Sequence, residues 1–384
     1  MRSLIRIKRT AKVGMLVALM AVLGSPQALA DTGPAVQCGD AVTASVQLDA
    51  DLNCAGTALT IAASNVTVDL GGHTVVGTTG GVSARNQTGV AITNGTVSGG
   101  IALTAATSST LSNLHVDGLS LKAFSSAVVT DSVIQNGPSA FQGDISLVRC
   151  QVIGLHAQAV NSRITISDST VTDSGFISNG STYTLTGNTL TRFRVNGEEN
   201  GSPVVTGNKF IQSSLIFFIA NHLDIENNQF TGEGSGLTIE DTTYQPSTVK
   251  GNVFDGGAVG LTIDTSILDK LSNISISHNV FTDNAAAGIL LHSRINSITH
   301  SIAISDNVFA SNGKASNGRV DSHGVPVDDG LHIDVPAASL VTVSDNVTLD
   351  NADHGIEAQP GTVIDGGGNI SVGDPAGCLG VVCG

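Results

Sequence analysis

Five glycine-headed segments in the C-terminal half carry most of the side chains able to do acid–base or metal chemistry. They are Gly236-Leu237-Thr238-Ile239-Glu240, Gly260-Leu261-Thr262-Ile263-Asp264, Gly288-Ile289-Leu290-Leu291-His292, Gly330-Leu331-His332-Ile333-Asp334 and Gly355-Ile356-Glu357-Ala358-Gln359. Each alternates with the period of a β-strand, so the residues one and three after Gly point one way and those two and four after it point the other. Aligned on Gly, the outward residues form two columns: Thr238, Thr262, Leu290, His332, Glu357 and Glu240, Asp264, His292, Asp334, Gln359. If the strands stack, column neighbours are ~5 Å apart, which puts His292 between Asp264 and Asp334. Arg319, Asp321, His323, Asp328 and Asp329 precede the fourth segment, Asp353 and His354 lead into the fifth, and Arg294 follows His292.

Carboxylates stacked this closely repel, which raises a pKa or recruits a cation, and calcium is the cation best served by oxygen ligands. In a lyase reading, Glu240, Asp264 and Asp334 hold Ca²⁺ against a uronate carboxylate. His292 or His332 then abstracts the adjacent proton, and Arg294 or Arg319 stabilises the developing charge. Asp328, Asp329, His354 and Glu357 are expected to contact the substrate. In a hydrolase reading, two carboxylates flank a glycosidic bond. Glu240 and Asp264 stand near the ~5 Å retaining distance, while Asp264 and Asp334, about 10 Å apart, lie at the edge of the ~6.5–9.5 Å inverting range. A third reading is a non-catalytic module that holds calcium or a glycan. Its weaker variant captures a transition metal through His292, His332, His323 and His354, whose spacing matches no compact motif.

These columns exist only if the chain stacks in register, and a second motif supplies that register. Asn-x-Phe recurs as Asn208–Phe210, Asn228–Phe230, Asn252–Phe254, Asn279–Phe281 and Asn307–Phe309. It extends backwards through Asn188–Leu190, Ser169–Val171, Cys150–Val152, Ser132–Ile134, Leu114–Val116, Gly95–Val97 and His73–Val75, and forwards through Asn346. Coils from 73 to 228 are 18 to 22 residues long; those beginning at 228, 252, 279 and 307 are 24, 27, 28 and 39. Such short coils predict an all-β, single-domain parallel β-helix, with Phe stacked inside and Asn at a turn where it tolerates left-handed backbone. The extra residues must leave as loops, and loops on a repeat array commonly gather on the binding side. Extended N-terminally, the outward columns are expected to read Ala102, Ser120, His156, Ile177, Arg194, Ile216 and Thr104, Lys122, Gln158, Asn179, Asn196, Phe218.

Residues 1–30 carry five basic residues, then an apolar run from Val13 to Leu23 and Ala28-Leu29-Ala30, and read as a secretory signal peptide. A β-helix domain is then expected over 31–384, secreted to the extracellular space, or to the periplasm of a host with an outer membrane, with no membrane insertion. Without the leader, 12 of the 17 basic residues face 32 acidic ones, a formal charge of −20. That excludes nucleic acid as a partner and disfavours polyanions unless a cation or local basic patch intervenes. Cys38 with Cys54, and Cys378 with Cys383, are expected to form two local disulfides stapling caps at about 38–64 and 365–384, where a solenoid would fray. Cys150 reads as a buried thiol, and the protein as a monomer acting on polysaccharide.

Val66-Thr67-Val68-Asp69-Leu70-Gly71-Gly72-His73-Thr74, the Asn-x-Phe coils and Asp365-Gly366-Gly367-Gly368-Asn369 resemble the secreted right-handed parallel β-helix proteins of the pectate-lyase-like superfamily over roughly residues 38–384. The resemblance implies a fold and says little of chemistry, since that superfamily spans lyases, hydrolases, epimerases, copper-delivery proteins, adhesins and tailspikes. Asp328-Asp329 and Asp353-His354-Gly355 are partial echoes of its polygalacturonase signature. The epimerase and pectate-lyase signatures are absent, as is Trp, and only Tyr183 and Tyr244 could serve as phenolic platforms for sugars.

Overall fold

A computed structural model describes residues 35–136, 140–198, 201–240, 245–265, 273–293, 301–314, 318–337 and 339–384. The expected signal segment 1–30, Tyr244 and Arg294 lie outside these residues. The described chain is a parallel β-solenoid of about 14 turns, its named strands all pairing in parallel with the coils before and after. Among the described residues no helix is long and apolar enough to cross a membrane.

The register is the one the Asn-x-Phe motif sets. Leu190, Phe210, Phe230, Phe254, Phe281 and Phe309 pair rung to rung. From Phe210 onward the rings stack with centroids 4.5, 4.8, 4.8 and 5.0 Å apart and nearly coplanar. All are fully buried. This stack also explains three of the glycines heading the outward strands, Gly260, Gly288 and Gly330: a Cβ on Gly288 would sit 2.8 Å from Phe281 Cβ and Phe309 Cδ1 and 2.7 Å from the Gly330 carbonyl. The two sequence motifs are opposite sides of one packing contact.

Asn188, Asn208, Asn228, Asn252, Asn279, Asn307, Asn346 and Asn369 form a buried ladder. In Asn252, Nδ2 donates to Asn279 Oδ1 at 3.0 Å and to the Ile225 carbonyl at 2.8 Å, while Oδ1 accepts the backbone N–H and Nδ2 of Asn228. The left-handed residue is the one before each ladder Asn, such as Asn227, His278, Asp306 and Asp345, with φ 53 to 57°. Asn therefore holds its position by satisfying buried backbone groups; the expectation that it occupies the left-handed turn position is corrected by one residue. Cys150 sits in the same ladder as a free, buried thiol, and the Cys38–Cys54 and Cys378–Cys383 disulfides are formed.

Replacing Asn252 with Ala leaves the Asn228 N–H buried without its partner and takes one donor from the Ile225 carbonyl. At about 1–3 kcal/mol for the orphaned N–H, the variant is expected to unfold at clearly lower denaturant concentration, as read by far-ultraviolet circular dichroism.

Candidate functional site

The five glycine-headed strands pair side by side: Glu240 with Asp264, Asp264 with His292, His292 with Asp334, Leu290 with His332, and His332 with Glu357. Both predicted columns are present in this region. N-terminal to it the expected columns slip by two residues on two coils, because Ile177 pairs with Gln158 and Asn196, while His156 and Arg194 lie in register with Gly175. Gly154, two residues before His156, is a left-handed turn glycine (φ 69°). Lys122 pairs with Thr104 as expected.

The alternation implies an outward, solvated face, and the structure departs from that at its C-terminal end. His332, Asp334 and Glu357 are 1, 3 and 6% exposed, and Asp329 is fully buried. The cover comes from the longest coil. Its insertion leaves the stack at Gly313, where a Cβ would collide with the Asp328 backbone. Residues 319–327 fold into a small antiparallel turn: Val320 bridges Pro326, Asp321 N–H donates to the Val325 carbonyl, and Val327 N–H to the Arg319 carbonyl. Val327 joins Val259, Ala286, Ala287 and Leu290 in a small apolar cluster apart from the main core. Arg319, at the base of the turn, is exposed.

Under this turn lie two linked clusters. In the inner one, His332 Nδ1 is 2.7 Å from Asp329 Oδ2 and 3.2 Å from Glu357 Oε2. Burial disfavours the imidazolium, yet its hydrogen bonds and attraction to Asp329 and Glu357 outweigh that and raise its pKa to about 10. Burial likewise works against the Asp329 carboxylate, and contacts from His332 and His354 overcome it, lowering its pKa to about 2. Glu357 shifts up, through burial and the charge of Asp329, and Asp328 shifts up through burial and its neighbours Asp329 and Asp353. The backbone N–H of His354 donates to Asp329 at 3.0 Å, and its ring, held near Asp329 and Asp353, has a raised pKa from the Asp329 contact. His332 is thus a buried cation, unsuited to act as a base at neutral pH.

The outer cluster centres on Asp334. Its Oδ2 is 3.0 Å from His292 Nδ1 and accepts the Ser322 N–H at 2.8 Å, while Oδ1 accepts the Ser322 hydroxyl at 2.9 Å and stands 3.2 Å from His323 Nδ1. Burial would raise this carboxyl, but the Ser322 and His292 contacts lower it. The His292 side chain is 20% exposed, that of His323 60%. Asp321 Oδ1 accepts the N–H groups of His323 and Val325, and Oδ2 faces His332 Nε2 at 3.6 Å.

The calcium set expected from sequence is spread along the column: Glu240 and Asp264 lie two rungs and one rung before His292, and Asp334 lies one rung after it. Three other groups bring ligand atoms together: Asp321–His323–Asp334, Asp329–Asp353–His354 and Asp329–His332–Glu357. Sequence reasoning missed Ser322, which orients Asp334, and a second asparagine ladder, Asn284–Asn312–Asn351, ending on Asp374, which fixes the turns entering these strands. The ladder was readable: each Asn lies three residues after Phe281, Phe309 or Thr348.

Residues 154–301 match a family model described as a right handed beta helix region, and the protein is a right-handed parallel β-helix. No curated protein matches the sequence. Solved structures similar to it include the periplasmic alginate epimerase AlgG (TM-score 0.34, 11% identity, covering 80% of this chain and 79% of that one). The A-module of an Azotobacter vinelandii mannuronan C-5 epimerase gives 0.33, 14%, 83% and 88%. A mannuronic acid specific polysaccharide family 6 lyase from human gut microbiota gives 0.22, 11%, 80% and 82%. Likeness at this level carries no information about the chemistry of this chain.

Asp329→Asn removes the buried counter-charge of His332 and is expected to destabilise the protein by about 3–5 kcal/mol. The folded pKa of Asp329 lies below its unfolded value, so its contribution is present above about pH 4 and lost as pH falls toward 2. The variant's deficit in chemical denaturation should therefore be largest near neutrality and shrink over that acid window.

Proposed function

We propose that this protein is a polysaccharide lyase acting on an acidic, uronate-containing glycan, with His292 as the base. The observation that carries the reading is the Asp334–His292 pair. A carboxylate buried beneath the turn and fixed by the Ser322 N–H and hydroxyl is aimed at one nitrogen of an imidazole that is itself partly exposed. A carboxylate behind a histidine fixes its tautomer and orientation and stabilises the imidazolium formed when it takes a proton. The acceptable substrate proton is one made acidic by a neighbouring carboxylate, as in a uronate ring. His292 removes it, the freed electron pair forms a carbon–carbon double bond, and the glycosidic C–O bond breaks with its oxygen taking a proton.

Charge supports the same class of substrate. His323 and Arg319 on the turn, and His354 with its raised pKa, place cationic or protonatable groups at this end of an otherwise acidic protein. A column of stacked rungs suits a repeating polymer. Among the described residues Glu240, Asp264 and Asp334 do not meet at one point, and no step of this reading runs through calcium.

The test is to incubate the protein with a panel of uronate polysaccharides, following ultraviolet absorbance of unsaturated ends and, in parallel, total reducing ends. Absorbance should appear, and His292→Ala and Asp334→Asn should each lower its rate by about 10²-fold or more. Reducing ends without absorbance would replace the lyase with a hydrolase, and retention on a glycan column without any product would make the protein a binding module. Either result overturns the proposal.

A further inference from the structure

We propose that Arg85, Lys122 and Phe124 form a second glycan-binding site, remote from the His292–Asp334 pair, that holds an anionic polysaccharide without acting on it. The proposal rests on the lyase reading for its ligand class and uses none of its catalytic residues.

Phe124 carries the first observation. Its residue is 75% exposed, and it follows Ala123 in left-handed backbone, with φ 53° and 59°. Among the described residues no other two consecutive non-glycine residues share that conformation. Left-handed backbone is unfavourable for a residue with a Cβ, and for a bulky one it is strain that the surroundings must hold. Ser125 supplies the hold. Fully buried, it accepts the Ala106 N–H at 3.1 Å and donates to the Lys122 carbonyl at 2.6 Å, closing a bulge in the strand pairing between Leu121 and Ser125. Strain and an apolar ring left in water both oppose this arrangement, and its result is an aromatic face presented to solvent.

Charge selects the ligand. Arg85 pairs with Thr104 and Thr104 with Lys122, so two exposed cations stand two rungs, roughly 10 Å, apart in one outward column. The neighbouring column on the same strands reads Ser83, Ala102 and Ser120, so neither column holds a carboxylate there. Arg149, Arg163 and Arg192 each meet an aspartate of the preceding coil, whereas among the described residues no ion pair engages Arg85 or Lys122. Unpaired cations beside a bare aromatic face suit a polymer that carries both carboxylates and apolar ring faces, as a uronate glycan does.

Position ties this patch to the candidate active site. Leu121, the inward neighbour of Lys122, pairs strand by strand to Leu291, the inward neighbour of His292, eight rungs or roughly 38 Å away. Lys122 and His292 therefore share one column. A long chain laid along it reaches both, and a short one does not.

The experiment is affinity electrophoresis of the full chain carrying His292→Ala, through gels containing alginate or polygalacturonate. Retardation by at least one polymer is expected. On that background Phe124→Ala, Lys122→Ala and Arg85→Ala should each weaken binding by at least about threefold, the two charge variants most at low salt. Lys209→Ala, which removes an exposed charge on a different strand face, should leave binding unchanged, and all four should keep the melting temperature. No retardation by either polymer, equal weakening by Lys209→Ala, no effect of Phe124→Ala, or equal retardation in gels of duplex DNA would each overturn the proposal. The two readings fail separately: His292-dependent cleavage with binding unchanged in the three variants removes this site and keeps the lyase, while binding through them without unsaturated product keeps this site and removes the lyase.

Discussion

Everything in this molecule depends on in-register stacking of one coil on the next. Parallel rungs a strand spacing apart place like residues above like, so each choice of side chain is multiplied along the stack. Phenylalanine rings lie face over face, and asparagine amides hand hydrogen bonds from coil to coil while satisfying the buried N–H of the preceding ladder residue. Gly260, Gly288 and Gly330 of the outward strands make room for that phenylalanine stack. Stability and site geometry are therefore set by the same constraint, because the register that stacks Phe281 on Phe309 also sets His292 beside Asp334, 42 residues away.

On this scaffold the longest coil does something the shorter ones do not. Its insertion turns back over the sheet, seats Val327 on Leu290 and places Ser322 against Asp334. Covering the face changes its chemistry. Carboxylates and imidazoles that would be weakly interacting solvated groups become a buried network in which Asp329 is strongly acidic and His332 holds its proton. The cover is partial: His292 and His323 remain reachable while the groups that orient them do not.

The sequence carried the fold and the C-terminal columns because strong markers recur there: Asn-x-Phe and a glycine facing it. Where markers weaken, the reading slips. On the coils of His156 and Arg194, which carry no Asn-x-Phe, the expected column positions are displaced by two residues. The burial of His332, Asp334 and Glu357 was not legible, because periodicity tells which way a side chain points and not whether another segment covers it. Nor was the partnership of Ser322 with Asp334, made by a turn with no repeat to align it. The column order itself was legible: His292 lies between Asp264 and Asp334 as the alignment on Gly places it.

The central claim is that residues 319–327 form a turn closed by the Asp321 carboxylate and docked on the column through the Asp334 carboxylate. Amide hydrogen exchange tests it directly, because the N–H groups of Ser322, His323 and Val325 are donors to those carboxylates. The account predicts slow exchange at these amides, and selective loss of protection at Ser322 in Asp334→Ala with the sheet amides unchanged. Exchange at the rate of an unstructured loop in the wild-type protein, or protection indifferent to Asp334, would contradict it.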